Sequence, residues 1–248
     1  MVSSAAAINR LLEKLERLRR LDRRRDYFGA GGRAGHGYEI VPVDPGAVTA
    51  REAALGYSFP AEYRDWLLQV GCGAGPGYGL MPLDDAGPVD WHDANPRAHG
   101  GDVARVEDIT LAHVAAIHPK RSDVPDYQYA SYAHISADSV DHFLAVSDVG
   151  CGGYAGMIVA GPLRGKVFTT SCEVAEPRTA LCALWPEGVY VRTSNRREVI
   201  IEPGNLFGFF DWYEDWLDRG IKDYSGGRGL PFIGTVLARA RAKVQKDG

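Results

Sequence analysis

The chain has 248 residues, 45% of them hydrophobic, enough to bury a full core in one α+β domain with or without appendages. No run approaches the roughly 18 to 20 apolar residues that cross a bilayer, and Ala5 to Ala7 passes straight into charged sequence without a signal-type apolar core, so a cytoplasmic globule is expected. The four cysteines, Cys72, Cys151, Cys172 and Cys182, lack the C-x-x-C spacing of a zinc site and the density of a disulfide scaffold, and read as buried free thiols. Charge is distributed unevenly. Residues 1–25 carry eight Lys/Arg against three Asp/Glu and residues 228–248 five against one, so the total of −4 leaves −13 for residues 26–227. An acidic body between basic ends repels nucleic acid and draws in basic partners.

Taken in order, Ser3 or Ser4 caps a predicted helix over about residues 5–25, with Ile8, Leu11, Leu12, Leu15, Leu18 and Leu21 on one face and Arg10, Lys14, Arg17, Arg20 and Arg24 on the other. Such a helix suits an anionic surface, or it packs its leucines on its own domain and docks its cations on the acidic body. The glycines of residues 29–37 look superficially like a phosphate loop. They follow a helix and lack the Lys-Ser/Thr that completes one, so a flexible linker is expected. A first strand is predicted over Tyr38 to Val43, broken at Asp44-Pro45-Gly46, and Thr49 to Glu52 has the spacing of a capping box for a very short helix ending near Gly56.

The most informative stretch is Leu55-Gly56, then Phe59-Pro60-Ala-Glu62-Tyr63-Arg64-Asp-Trp66-Leu67, then Val70-Gly71-Cys-Gly73. Pro60 suits a first helical position, Glu62 the first turn, and Tyr63, Trp66, Leu67 and Val70 recur at i, i+3, i+4 and i+7, giving one aromatic core face. Gly71 closes that helix, and a strand is expected at Leu80 to Leu83. With Glu52 upstream, this stretch resembles the N-terminal signature of the SUKH superfamily, the Smi/Knr family. Phe59 stands where a Leu is usual and Gly71-Cys-Gly73 replaces an Asn-Gly-Gly.

After Leu83 comes a polar loop, Asp84-Asp85 through Asp90-Trp91-His92-Asp93 to His99 and Asp102. Long irregular segments in compact domains are commonly functional, and this one reads as a binding loop with Trp91 as an aromatic anchor. His92, Asp93 and His99 carry metal-capable atoms, but no regular element fixes their spacing, so neither metal nor cofactor is expected. Residues 103–117 are taken as a short helix. Three strands follow, Phe143 to Ser147, Tyr154 to Ala160 and Lys166 to Thr170, joined by turns at Asp148 to Gly153 and Gly161 to Gly165 as an antiparallel meander. The strand, the Asp-to-Gly turn, Tyr154 and Gly165-Lys-Val167 again resemble SUKH. Gly150 to Ala155 matches G-x-G-x-x-A, yet a β-branched run follows where a dinucleotide site needs a helix. A hairpin is predicted over Trp185 to Thr193 and Glu198 to Ile201. Asn205 then caps a helix over about 206–219, with Phe209, Phe210, Tyr213, Trp216 and Leu217 inward and Asp211, Glu214, Asp215 and Asp218 outward. Pro231 opens a basic terminal helix.

The expected architecture is α+β: a single SUKH-like domain over 38–222, mainly an antiparallel twisted sheet flanked by helices, with a basic amphipathic helix at 1–28 and another basic helix at 228–248. What the resemblance implies is an immunity protein of a bacterial polymorphic toxin system, an antidote without catalytic residues that binds its cognate toxin, often a nuclease. The acidic body agrees with a basic partner of that kind. The partner-binding residues expected on charge and loop exposure are Asp84, Asp85, Asp90, Trp91, Asp93, Asp102, Asp148 and Tyr154. Two other classes remain open at this point: a hydrolase or transferase, for which no Gly-x-Ser-x-Gly elbow, H-E-x-x-H or P-loop is present, and a scaffold that uses its basic N-terminal helix on nucleic acid or membrane.

Overall fold

The computed structural model describes residues 3–27, 29–31, 35–88, 108, 110, 142–150, 153–175, 179–186 and 206–225. Helix α1 spans Ser4–Leu21, with Ser3 Oγ accepting from Ala6 N at 3.4 Å. It ends four residues before the predicted limit because of Asp22. That side chain is buried, and its carboxylate accepts from Asp26 N at 2.9 Å, Tyr27 N at 3.0 Å and Tyr38 Oη–H at 2.6 Å. A carboxylate out of water needs such donors, and gathering them turns the backbone out of the helix.

The glycine stretch after it is not a linker where it is described. Ala30 is buried, His36 N and Gly37 N donate to Gly29 O and Ala30 O, and His36 packs edge-on against Trp216. Tyr38, with φ of 63°, leads into β1, Ile40–Val41, which is shorter than expected because Pro42 has no N–H to extend a ladder. β1 pairs antiparallel with β2, Cys72–Gly73.

Helix α2, Pro45–Leu55, starts where the sequence reading placed only a break. Asp44 is its N-cap, accepting from Ala47 N at 2.9 Å, Pro45 takes the first turn, and Gly56 closes it in the left-handed region at φ of 77°. Thr49 is therefore interior, and Glu52 does not complete a capping box. Its carboxylate instead accepts from Phe59 N at 2.8 Å and from Arg64 Nε at 3.2 Å, clamping α2 to the next helix. The residues that carry the family resemblance thus form one structural brace. Helix α3, Ala61–Gln69, follows Pro60 and buries Tyr63, Trp66 and Leu67 as the spacing requires, while Val70 is half-buried.

The predicted strand at Leu80 to Leu83 reduces to bridges from Leu80 to Gly73 and Ser147 and one bond from Met81 N to Val146 O, since Pro82 cannot donate the next one. The predicted three-strand meander is present and is extended by a fourth strand that was not foreseen: β3, Phe143–Gly150; β4, Gly153–Ile158; β5, Val167–Ala175; and β6, Thr179–Pro186, hydrogen-bonded in that order and all antiparallel. β3 continues through the predicted turn at Asp148, with register shifts around Val146 and Val149, irregularities that increase local twist. Trp185 comes near the end of β6 rather than opening a strand, and the rest of the predicted hairpin, the 103–117 helix and the 228–248 helix lie outside the described residues.

Helix α4, Phe209–Ser225, closes the core. Its buried Phe209 and Tyr213 meet Tyr63 and Trp66 of α3, with the Trp66 and Tyr213 ring centroids 4.4 Å apart, Trp216 packs on Tyr27 and Tyr213, and Glu62 Oε2 accepts from Phe210 N at 3.1 Å at its start. Ile8, Leu11, Leu15 and Leu18 of α1 belong to the same cluster. The α1–α4 approach is close: a methyl group on Gly220 would meet Leu18 at 2.9 Å and Tyr27 at 2.8 Å.

Candidate functional site

Pro82 to Ala86 forms a turn along the outer edge of β3. Asp85 N and Ala86 N both donate to Pro82 O, at 2.9 and 3.0 Å, and the chain rejoins the strand through reciprocal bonds between Gly87 and Ala145 at 3.2 and 2.9 Å. Leu83 and Ala86 are buried, so Asp84 and Asp85 between them face outward. Arg51 of α2 fixes the turn from beneath, its Nε and Nη2 donating to Ala86 O at 3.1 and 2.8 Å. Sequence reasoning did not single out Arg51, because its partner is a backbone carbonyl 35 positions away.

The same edge carries Asp148. It is exposed, its Oδ1 accepts from Gly150 N at 2.6 Å, and it stands opposite Tyr154 in the β3–β4 register. The bridges at Leu80–Ser147 and Gly87–Ala145 set the spacing: at about 3.3 Å of rise per strand residue, the Asp84-Asp85 turn leaves β3 within about 10 Å of Asp148. Three of the expected carboxylates therefore share one sheet edge. Among the described residues no Lys or Arg forms an ion pair with Asp84, Asp85 or Asp148. Asp90, Trp91, Asp93 and Asp102 lie outside the described residues.

Tyr78 was also missed. It is 41% exposed at the tip of the glycine-rich segment between β2 and Leu80, and its N–H donates to Asp148 O at 2.8 Å. The signal was Gly77-Tyr78-Gly79, an aromatic flanked by two residues that here take φ of 65° and 100°.

The other acidic surface foreseen in the sequence, the outer face of α4, is already occupied. Arg10 Nε and Nη2 donate to the two Glu214 oxygens at 2.8 and 2.7 Å, and Lys14 Nζ reaches Asp218 at 2.7 Å and Glu214 at 2.7 Å. The Arg10 hydrogen bond, reinforced by Lys14, holds the Glu214 carboxyl down to about 2.

Among the described residues no helix is long and apolar enough to cross a membrane, and no three His, Cys, Asp or Glu side chains converge. A search of curated proteins gives no match to the chain. Residues 42–183, more than half of the chain, match the SMI1 / KNR4 family (SUKH-1), spanning the Glu52–Arg64 brace, the Asp84-Asp85 turn and the meander as far as β6. With the brace, the meander and the family match in agreement, the chain belongs to the SMI1 / KNR4 family (SUKH-1).

Proposed function

We propose that this protein is an immunity protein: a cytoplasmic antidote, not an enzyme, that binds a cognate bacterial polymorphic toxin through its acidic surface. Family membership fits the immunity-protein kind. The observation that carries the rest is the β3 edge, where Asp84, Asp85 and Asp148 are exposed and unpaired by any Lys or Arg among the described residues, on a body of net charge −13. Charge of one sign on an edge with apolar backing accelerates encounter with an opposite charge and makes association salt-sensitive. Nuclease domains bind phosphates and are commonly basic, so a nuclease-type toxin domain is the partner this surface suits best. Asp90, Trp91, Asp93 and Asp102 extend the proposed contact along the same loop in sequence, and Tyr154 flanks Asp148.

The rival in which α1 lies on a membrane is weakened by its packing, since Ile8, Leu11, Leu15 and Leu18 of the face it would insert are buried in the core that α4 shares, leaving Leu12 half-buried and Leu21 exposed. The experiment is co-expression with the protein encoded immediately upstream, scored by growth rescue and by co-purification at low and high salt. Rescue with a salt-sensitive complex supports the antidote reading. A harmless neighbour with no complex removes it and reopens the search for a small-molecule substrate.

A further inference from the structure

The segment that displays Tyr78 is clamped between two other backbone strands. A methyl group on Gly29 would strike Gly77 O, and one on Gly77 would strike Asp148 O and come within 2.6 Å of Ser147 Oγ, so three stretches of chain stack with no room for side chains between them. Ser147 Oγ, buried, donates to Pro76 O at 2.7 Å, Gly79 N donates to Pro76 O at 3.1 Å, and Tyr78 N donates to Asp148 O at 2.8 Å. The stretch read from sequence as a linker is thus part of the brace that holds this tip still. An exposed tyrosine on fixed backbone loses little entropy on binding, having only two side-chain torsions to settle.

The ring and the Asp148 carboxylate converge on one residue. A methyl group on Gly150 would touch the Tyr78 ring at 3.2 Å, while Gly150 N donates to Asp148 Oδ1 at 2.6 Å. The bond geometry of that single glycine keeps ring and carboxylate within about 8 Å of each other. One hydrogen bond uses only part of the acceptor capacity of a carboxylate. A flat aromatic face beside an exposed carboxylate suits a guanidinium, which stacks on the ring while its N–H fork addresses the oxygens; an ammonium is a hydrated point charge that exploits only the second. We propose that Tyr78 and Asp148, brought together over Gly150, form a seat for an arginine side chain of a protein partner. The assignment rests on reading the β3 edge as the partner-binding surface, and names the side chain that anchors there.

The test uses the full chain with 13C-labelled tyrosine, titrated with the blocked tripeptides Gly-Arg-Gly and Gly-Lys-Gly and observed by NMR. The Tyr78 ring signal, identified by its loss in Tyr78→Leu, is expected to move saturably with the arginine peptide and at least about threefold more weakly with the lysine peptide. Asp148→Asn, which keeps an acceptor for Gly150 N, is expected to weaken the arginine peptide about tenfold while leaving the thermal midpoint unchanged. No saturable movement at Tyr78, or equal response to both peptides that Asp148→Asn leaves intact, overturns the seat. The toxin arm separates the two readings. If the toxin binds wild type and Tyr78→Ala equally, the arginine seat is overturned and the antidote reading stands. If the toxin does not bind wild type while the arginine peptide saturates at Tyr78, the seat stands and the antidote reading is lost.

Discussion

Two acidic surfaces of this protein have opposite fates. On α4, Glu214 and Asp218 face a basic helix of the same chain, and Arg10 and Lys14 consume them. Along β3, Asp84, Asp85 and Asp148 are exposed and form no ion pair with a described Lys or Arg. The acids are alike in type; what differs is whether the fold brings an amphipathic basic helix over them. α1 does so because its apolar stripe must be buried somewhere, and α4 offers an aromatic-lined face beside it. Charge count alone therefore overstates the surface available to a partner.

The sharpest way to break the α1–α4 side of the comparison is to cut its apolar contact. Leu18→Ala, which removes a fully buried side chain lodged beside Gly220, is expected to cost about 2–5 kcal/mol in urea unfolding, and loss of residues 3–21 to abolish cooperative folding. A fully stable truncated chain would show that α1 is an appendage. On the β3 side, Asp84→Lys with Asp85→Lys is expected to leave stability within about 0.5 kcal/mol of wild type, both side chains being exposed, while weakening toxin association at least about tenfold at low salt. Unchanged association would move the contact elsewhere.

Acid sharpens the contrast, because the α1–α4 side holds two titrating groups in separate windows. Burial pushes the His36 imidazole down to about 4, against the pull of the nearby Gly75 backbone. The unfolded chain takes up that proton first, so stability falls as pH drops from about 6.5 towards 4 and is flat below. His36→Asn, which keeps an acceptor for Tyr38 N, is expected to flatten that decline in denaturation midpoints. Glu214 is depressed, so its contribution is full above the ordinary carboxylate range and is lost as pH falls towards about 2. Smaller effects complete the series. The Tyr63 hydroxyl is fully buried with no hydrogen-bond partner among the described residues, so Tyr63→Phe is expected to be neutral or stabilising by up to about 1 kcal/mol in thermal melts. Arg10→Gln, at a pair whose arginine is exposed and whose carboxylate keeps Lys14 as a second partner, is expected to cost about 1 kcal/mol or less, and less still in high salt.

Much of the core was legible because periodicity reports burial. Tyr63, Trp66 and Leu67 on α3, and Phe209, Tyr213 and Trp216 on α4, are buried as their spacing requires, and three of the meander's four strands follow from β-rich runs punctuated by glycine turns. What local pattern could not supply were partners distant in sequence. Asp22 ends α1 by gathering donors from Asp26 to Tyr38, Glu52 serves Arg64 rather than its own helix, and Arg51 holds the turn at Ala86. Glycine was misread for a related reason. At Gly29, read as linker, it marks backbone packed against the backbone of Gly77, a contact invisible until that neighbouring segment is placed. On the candidate surface the acids were visible as charge, but their separation into paired and unpaired sets depends on where α1 docks.

Hydrogen exchange on the free chain and on its mixture with the protein encoded immediately upstream, the proposed toxin, compares the two surfaces in one measurement. The account predicts slowed exchange, relative to the free protein, at Tyr78 to Gly87 and Ser147 to Tyr154, with Phe209–Ser225 unchanged because α1 already covers it. Protection confined to α1 and α4, with the β3 edge exchanging as in the free chain, would contradict it.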